Sequence, residues 1–448
     1  MGGWPRREER ERQKEWAKIL VAAAALRVLV AFVALGAMPL AGDADDYFAL
    51  ARRLASGDWA GAFYWPPGES LVLSAGIALL GPSLAVARAL TVAMSTATVA
   101  FTMLLAREVD GPSTARTAGW MAAVYAPAVL LCGQPYGQHL AALCLAATAY
   151  FALRAARAPG PLPFLATGLA LGLGCLTRPS MISVVPVVGA AWTLAARKTP
   201  ALRRSLAIGA ASAACIVLVC VAPVCAHNAR VGSGWTISTN NERNLFLGNN
   251  PYTPDYKTSH LGQRPLDALD PETRRYLTSF YERADGRAAM RRAAFRYMAE
   301  HPARTSLRTL NRATSFWGFD YLASRQIQAW RGRGARAGLP SLALEAACYL
   351  AASALALVTL FGLGGPRGGG RGWLVALALA YELPYTLAFS GGTYHFPVVP
   401  LLLPLAGIAA ARPRDAWRGL RGSAAARWAL AVFAVIQAQY AYYAIAMS

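Results

Sequence analysis

Three carboxylates, Asp43, Asp45 and Asp46, stand together in GDADDYFALARRLASG, directly after the first long apolar stretch of the chain. Asp43 and Asp46 are three apart and Tyr47 is four beyond Asp43, so a helix starting here puts them on one face, with Asp45 turned elsewhere. Two chemistries fit. Acidic residues cap a helix N-terminus and complement its dipole. A carboxylate at a membrane surface can also take the proton of an attacking hydroxyl, alone or with a metal that bridges to a phosphate. Glu69, after Pro66-Pro67-Gly68, is a second acid that suits either a cavity or a solvated helix start. The candidate cations are Arg178 in LGLGCLTRPSM and Arg88 in AVARALTV, where anion binding competes with snorkelling to the interface. Arg27 lies in the inner half of the first apolar stretch, where snorkelling is the better account. His395 could meet a phosphate as a cation or donate a hydrogen bond when neutral, and His139 is a weaker version of the same idea.

The elements that must position these residues are membrane helices. The chain has 448 residues, 56% of them hydrophobic, and apolar stretches long enough to cross a bilayer recur from end to end. Spans are expected at about 19–40, 83–106, 115–132, 138–154, 162–178, 180–196, 205–225, 341–363, 372–389, 395–411 and 427–446, roughly eleven in all. The first reads as an uncleaved signal anchor, its apolar core being too long for a signal peptide. The net charge of +21 does not indicate nucleic acid, because the basic residues gather in short loops between apolar stretches. The seven cysteines lie in or beside apolar stretches without metal-binding spacing; a Cys132–Cys225 bridge is conceivable and has no support in the spacing. The basic turn GPRGGGRG between two late spans is no phosphate loop.

Loop charge decides the orientation. The segment 70–81 is apolar but too short to span, and if it lies flat the Arg and Lys residues at 107–116, 154–157, 197–204, 367–371 and 412–421 all fall on one side. That side is cytoplasmic, so residues 1–18 are a basic cytoplasmic segment, 19–226 an N-terminal membrane module whose first external loop is 41–82, 227–340 a large external loop, and 341–448 the C-terminal spans. The large loop opens on an Asn-rich turn with Arg243, Asn244 and Asn249, then shows helical periodicity from Asp270-Pro271 with stops at Gly286 and Pro302. Its amphipathic, Arg-rich helices are expected to pack over the membrane surface.

These residues carry a resemblance. An Asp just outside the first span, a Tyr four residues on, LASGDW and then PPG before an interfacial helix look like the first external loop of the membrane-embedded C-fold glycosyltransferases (GT-C), including bacterial protein mannosyltransferases and lipid A aminoarabinose transferases. LGLGCLTRPSM, ISTNNERNLFLGNNP, FRYMAEHPARTSLRTLNRATSFWGF and GGTYHFPVVPLLLPLAG resemble, in order, that superfamily's later landmarks. The resemblance implies an all-α polytopic GT-C fold that takes one sugar from a polyprenyl-phosphate carrier, with Asp43 catalytic, Asp46 its alternate, and Arg178 and its neighbours on the phosphate. It brings Tyr47, Glu69, Arg88, Arg243, Gln138, His139, Tyr394 and His395 into view as substrate-binding candidates. The chain departs from the pattern at three places: Gln138 and His139 replace a frequent acid, Tyr394 and His395 a basic residue before Pro397, and Glu69 a frequent Tyr. No cofactor is required with certainty, and a divalent metal stays open.

The expected activity is therefore an inverting glycosyltransferase of the inner membrane. It would move a sugar from polyprenyl phosphate to a hydroxyl of a glycan, lipid or protein on the outer side. Trp59, Tyr64 and Trp65 then suit an interfacial belt or a sugar platform. The alternative is a lipid or solute transporter, which places ionisable residues at mid-membrane; Glu382 in YELPYT is the main residue of that kind.

Overall fold

Backbone in a bilayer has no water to bond, so long apolar stretches must satisfy their amides as helices. A computed structural model describes residues 4–332, 336, 338–364 and 370–446, and among these every regular element is helical. Most of the GPRGGGRG turn lies outside the described residues.

The N-terminal module comprises α1 (Trp4–Val28), α2 (Asp43–Ala55), α3 (Gly68–Leu80), α4 (Leu84–Asp110), α5 (Pro112–Ala123), α6 (Ala126–Leu130), α7 (Gln138–Arg157), α8 (Pro161–Thr177), α9 (Val184–Lys198) and α10 (Arg203–Arg230). The large loop holds α11 (Asn241–Gly248), α12 (His260–Gln263), α13 (Pro271–Tyr281), α14 (Gly286–Glu300), α15 (Pro302–Phe316) and α16 (Leu322–Arg331). The last elements are α17 (Gly338–Phe361), α18 (Gly370–Leu387), α19 (Val399–Ala411), α20 (Pro413–Gly422) and α21 (Ala424–Ala446).

Among the described residues seven helices are long and apolar enough to cross a membrane, and nine if the bent pairs α5–α6 (47°) and α20–α21 (92°) each count as one span. The two remaining expected spans coincide with α8, of 17 residues, and α18, of 18. The first span lies earlier in the chain than expected, at Glu11–Ala34: helix passes into a π turn at Leu29–Ala34 and stops there, leaving 35–42 as the approach to the acidic loop. Segment 70–81 is the short helix α3, as its length requires.

Helices α7 and α19 form the middle of the bundle, buried along most of their length. Around α7, the residues of α8, α9, α10, α18 and α19 share one core that includes Leu145, Phe164, Trp192, Leu377 and Leu401. Gly168 and Gly172 bring α8 close to α10: a Cβ at Gly168 would stand 2.7 Å from the Ala213 carbonyl oxygen. A second core joins α1, α4, α5, α17 and α19. The seven cysteines are free thiols, and Cys132 donates to the Ala128 carbonyl.

Arg27 does not snorkel. It is 1% exposed and donates to Ser95 Oγ and to the carbonyls of Ala23, Ala122 and Ala123. The cause is the break between α5 and α6. Pro127 has no N–H to give the Ala123 carbonyl four residues back, and the helix ends at Ala123, so both carbonyls need another donor.

The large loop follows its sequence signals. Asp270 caps α13 by accepting from the Thr273 amide at 2.9 Å, and α14 and α15 begin at Gly286 and Pro302. Its arginines do more than face a surface. Arg308 and Arg312, both fully buried, donate to the carbonyls of Asn250 and Leu387 at 2.9 Å each, with further bonds to Thr253 and Gly248.

Candidate active site

Asp43 opens α2, and the segment before it is held on both sides. Arg88 donates Nε to the Gly133 carbonyl (3.0 Å), Nη1 to Gly36 (2.6 Å) and Nη2 to Met38 (2.9 Å). The Gln134 side chain gives its amide to the Pro39 carbonyl (2.9 Å) and accepts from the Ala41 N–H (3.1 Å). Gly42 then turns the chain at φ +57°, a region a side chain would strain, and its missing Cβ leaves 3.5 Å to the Tyr136 hydroxyl. Four fixed backbone groups in a row make this approach rigid, and it delivers Asp43 to the wall of a cavity of about 540 Å³.

Of the expected residues, Asp43, Gln138, Arg178, Arg243 and Tyr394 line that cavity, together with Trp65 and Asn244. Asp43 is the single carboxylate among the described lining residues, facing three guanidiniums: Arg178, Arg243 and Arg325. Arg178 sits where α8 stops, because a residue before Pro179 is driven out of helical backbone. Its Nη2 donates to Gln138 Oε1 at 2.8 Å, and the phenols of Tyr47, Tyr385, Tyr381 and Tyr394 surround it. Arg243 stands over the Tyr281 ring, 5.5 Å from its centroid. Burial pushes the Asp43 carboxyl above its usual range; Arg178 opposes the shift and Asp46 adds to it.

Behind Asp43 lies an enclosed polar pair. Tyr47 is 1% exposed and Glu69 fully buried, and among the described residues neither the phenol oxygen nor either carboxyl oxygen has a hydrogen-bond partner. A Cβ on Gly137 would meet both, the Tyr47 hydroxyl at 3.8 Å and Glu69 Cβ at 3.9 Å. Burial pushes Glu69 up to about 8, against the pull of Arg178, so it is an uncharged acid at neutral pH.

The other expected residues lie elsewhere. Asp46 is exposed and accepts from Trp65 Nε1 at 3.0 Å, and Asp45 faces solvent. Arg88 is engaged by three carbonyls. His395 Nδ1 lies 3.0 Å from the Phe316 carbonyl with its ring stacked on Tyr349, 4.1 Å between centroids. His139 is buried edge-on to Phe396, in a small, mostly apolar pocket that Arg27 and Tyr125 also line. Asn249 bonds the carbonyls of Leu245 and Leu387. Glu382 accepts from Trp317 Nε1 at 3.0 Å, and Glu345, a further buried acid of the spans, accepts from the Ser324 amide and hydroxyl. Among the described residues no group of three or more His, Cys, Asp or Glu side chains could hold a metal ion.

Sequence reasoning misses Arg325, Tyr136, Tyr385, Asn240 and Gln263, all on the cavity wall. Tyr136 carried a signal: it sits in the GQPYGQ break that separates two apolar stretches, where irregular backbone in a membrane protein lines a cavity. Arg325 carried none, being one arginine among many in the large loop.

The family Dolichyl-phosphate-mannose-protein mannosyltransferase matches residues 65–227, less than half of the chain. Among solved structures, ArnT from Cupriavidus metallidurans bound to undecaprenyl phosphate is similar, with a TM-score of 0.51 and 19% identity over 91% of this chain and 62% of that one. The archaeal oligosaccharyltransferase AglB from Archaeoglobus fulgidus, in complex with an inhibitory peptide and a dolichol-phosphate, gives 0.51 and 13% over 88% and 50%. An Archaeoglobus fulgidus oligosaccharyltransferase in the apo form gives 0.51 and 13% over 95% and 56%. The chain thus spans between half and 62% of the length of these structures. No curated protein matches. The fold is that of the membrane-embedded C-fold glycosyltransferases.

Proposed function

From that C-fold architecture as premise, we propose that this protein is an inverting glycosyltransferase that moves one sugar from a polyprenyl-phosphate carrier to an acceptor hydroxyl at the outer face of the inner membrane. The observation that carries the reading is the cavity itself: one carboxylate, raised above its usual range, opposite three arginines. In the reaction the acceptor oxygen attacks the anomeric carbon, the bond from that carbon to the phosphate oxygen breaks, and the acceptor proton passes to Asp43. Polyprenyl phosphate leaves with the bonding pair, and the anomeric centre inverts. Arg178, held by Gln138, meets the departing phosphate, a role for which a planar guanidinium is suited. Burial that lifts the carboxyl pKa makes Asp43 a stronger base than a solvated aspartate.

The assignment of sides rests on loop charge and gains support from pairing. Glu108 binds Arg154 and Arg157, and Asp110 binds Arg412, so the loops read as cytoplasmic meet at one end of the bundle. The N-terminus is then cytoplasmic and the cavity opens outward.

The test is single-turnover transfer by purified protein, from a panel of polyprenyl-phosphate sugars to membrane extract. Wild type should consume one donor. Asp43→Asn should slow transfer about 10²–10⁴-fold, the usual contribution of a general base, with donor binding retained. Normal transfer by Asp43→Asn, or no donor consumed by wild type, refutes the assignment.

A further inference from the structure

The large cavity continues past Gln263, Tyr321, Gly391 and Tyr440, which also line a smaller pocket of about 30 Å³. That volume takes one small polar group and no sugar ring, since a single water needs about 10–15 Å³ on the same measure. Its remaining walls are hydroxyl-rich and include Lys257, Thr258, Ser259 and Ser390, and none of the described lining residues is acidic. Ser390 is 2% exposed, and its hydroxyl has no partner among the described residues. A buried hydroxyl left open in this way is costly unless a ligand or a water answers it.

Three cations, Lys257, Arg264 and Arg325, stand near the pocket, and the neighbouring acid Asp320 is buried and already accepts from the Leu322 amide and the Thr393 hydroxyl. Burial lowers the Lys257 ammonium, with Arg264 and Arg325 adding to it, and burial lowers the His260 imidazole, with Arg264 and Lys257 adding to it. Arg325 reaches the main cavity, so the cluster borders both spaces. Stacking of Tyr256 on Tyr443, with centroids 4.8 Å apart, ties the loop that carries Lys257 to α21. A polyprenyl chain needs apolar walls beside its phosphate. This pocket offers hydroxyls, and Tyr256 on its wall is 38% exposed, which suits a group arriving from water.

We propose that this side pocket is a second anion subsite, distinct from the donor phosphate site at Arg178, and that it receives a phosphate or carboxylate group carried by the acceptor. The inference rests on the glycosyl-transfer reading and adds that the acceptor is acidic. Lys257 supplies the charge, Ser390 Oγ donates into the pocket, and the acceptor hydroxyl that reacts reaches back toward Asp43.

The experiment uses full-length protein in detergent with the donor identified above, and membrane extract separated on an anion exchanger into retained and unretained acceptor fractions. Donor consumption comes first: if wild type consumes none, the glycosyl-transfer reading fails, and this proposal with it. If donor is consumed, labelled sugar should appear in the retained fraction, and inorganic phosphate should inhibit competitively against acceptor. Lys257→Gln should raise the acceptor concentration for half-maximal rate about tenfold, the scale of one charge-assisted hydrogen bond, with donor KM unchanged. Lys257→Arg should restore it, and Ser390→Ala should weaken acceptor use in the same direction, with thermal unfolding of each variant confirming that it is folded. Label confined to the unretained fraction overturns the proposal. So does phosphate that competes with donor, which would make the pocket a site for the carrier's own phosphate, or a Lys257→Gln variant with an unaltered acceptor dependence.

Discussion

Replacing Arg88 with methionine separates two roles for a buried arginine near a candidate phosphate site. Arg88 is 6% exposed, and its guanidinium ties two backbone segments together through the carbonyls of Gly133, Gly36 and Met38. Methionine keeps most of the side-chain volume and removes all three donors. Each carbonyl left without a donor costs about 1–3 kcal/mol, and water entering from the external loop offsets part of the sum, which leaves a loss of about 3–5 kcal/mol. Because two of those carbonyls belong to the approach to Asp43, the surviving folded protein should also hold its base less firmly. A displacement of about an ångström is enough to cost on the order of a hundredfold in rate. The expected result for Arg88→Met is earlier thermal unfolding in detergent and a lower kcat with donor KM close to wild type. Arg88→Lys should recover little, since one ammonium cannot span three carbonyls in a guanidinium's plane. Unchanged thermal stability, or a defect confined to donor KM, would refute the scaffolding argument and return Arg88 to the substrate.

The remaining expectations concern titration and the large loop. The wild-type rate should fall as pH drops through the Asp43 pKa, which lies above the ordinary 3.8, and the residual rate of Asp43→Asn should lack that acidic limb. Glu69 is raised in the folded state from 4.5 to about 8, so the folded protein holds a proton that the unfolded chain has lost. Wild-type stability should therefore decline, relative to Glu69→Gln, as pH rises from about 4.5 to about 8 and level off above; parallel unfolding profiles would exclude a buried neutral acid. Arg308→Met should destabilise the protein by roughly 3–5 kcal/mol, because Asp255 and the Asn250 and Thr253 carbonyls lose a buried partner. Limited proteolysis should then find the segment around 250–258 first.

Much of this was legible along the chain. The caps and stops of the large loop, the shortness of α3 and the acidic entry to α2 are local signals, written in residues adjacent to the features they create. Spacing alone does not separate Asp43 from Asp46, since it puts both on one face; only the resemblance ranks Asp43 first. The approach fixed by Arg88 and Gln134 and the Trp65 indole together decide which carboxylate meets the cavity. His395 and Arg88 looked available for a phosphate because their partners are carbonyls, and a carbonyl looks the same in every residue.

That invisibility follows a rule the arginines make clear. Arg27, Arg88, Arg308 and Arg312 each donate to two or more carbonyls where a helix breaks or a loop crosses the bundle. Buried carbonyls of that kind need a donor from the folded chain, and the long arginine side chain is one that can reach several at once. Arg178 also follows a helix end, yet its hydrogen bond among the described residues goes to the Gln138 side chain, and its other donors face phenols and the cavity. What sets the candidate phosphate ligand apart is neither its burial nor its place in a span but a guanidinium left uncommitted to backbone. The break at Val124–Pro127 shows how much of this a sequence can carry: a proline inside an apolar stretch announces one orphaned carbonyl, and an arginine on a neighbouring span is the donor to look for.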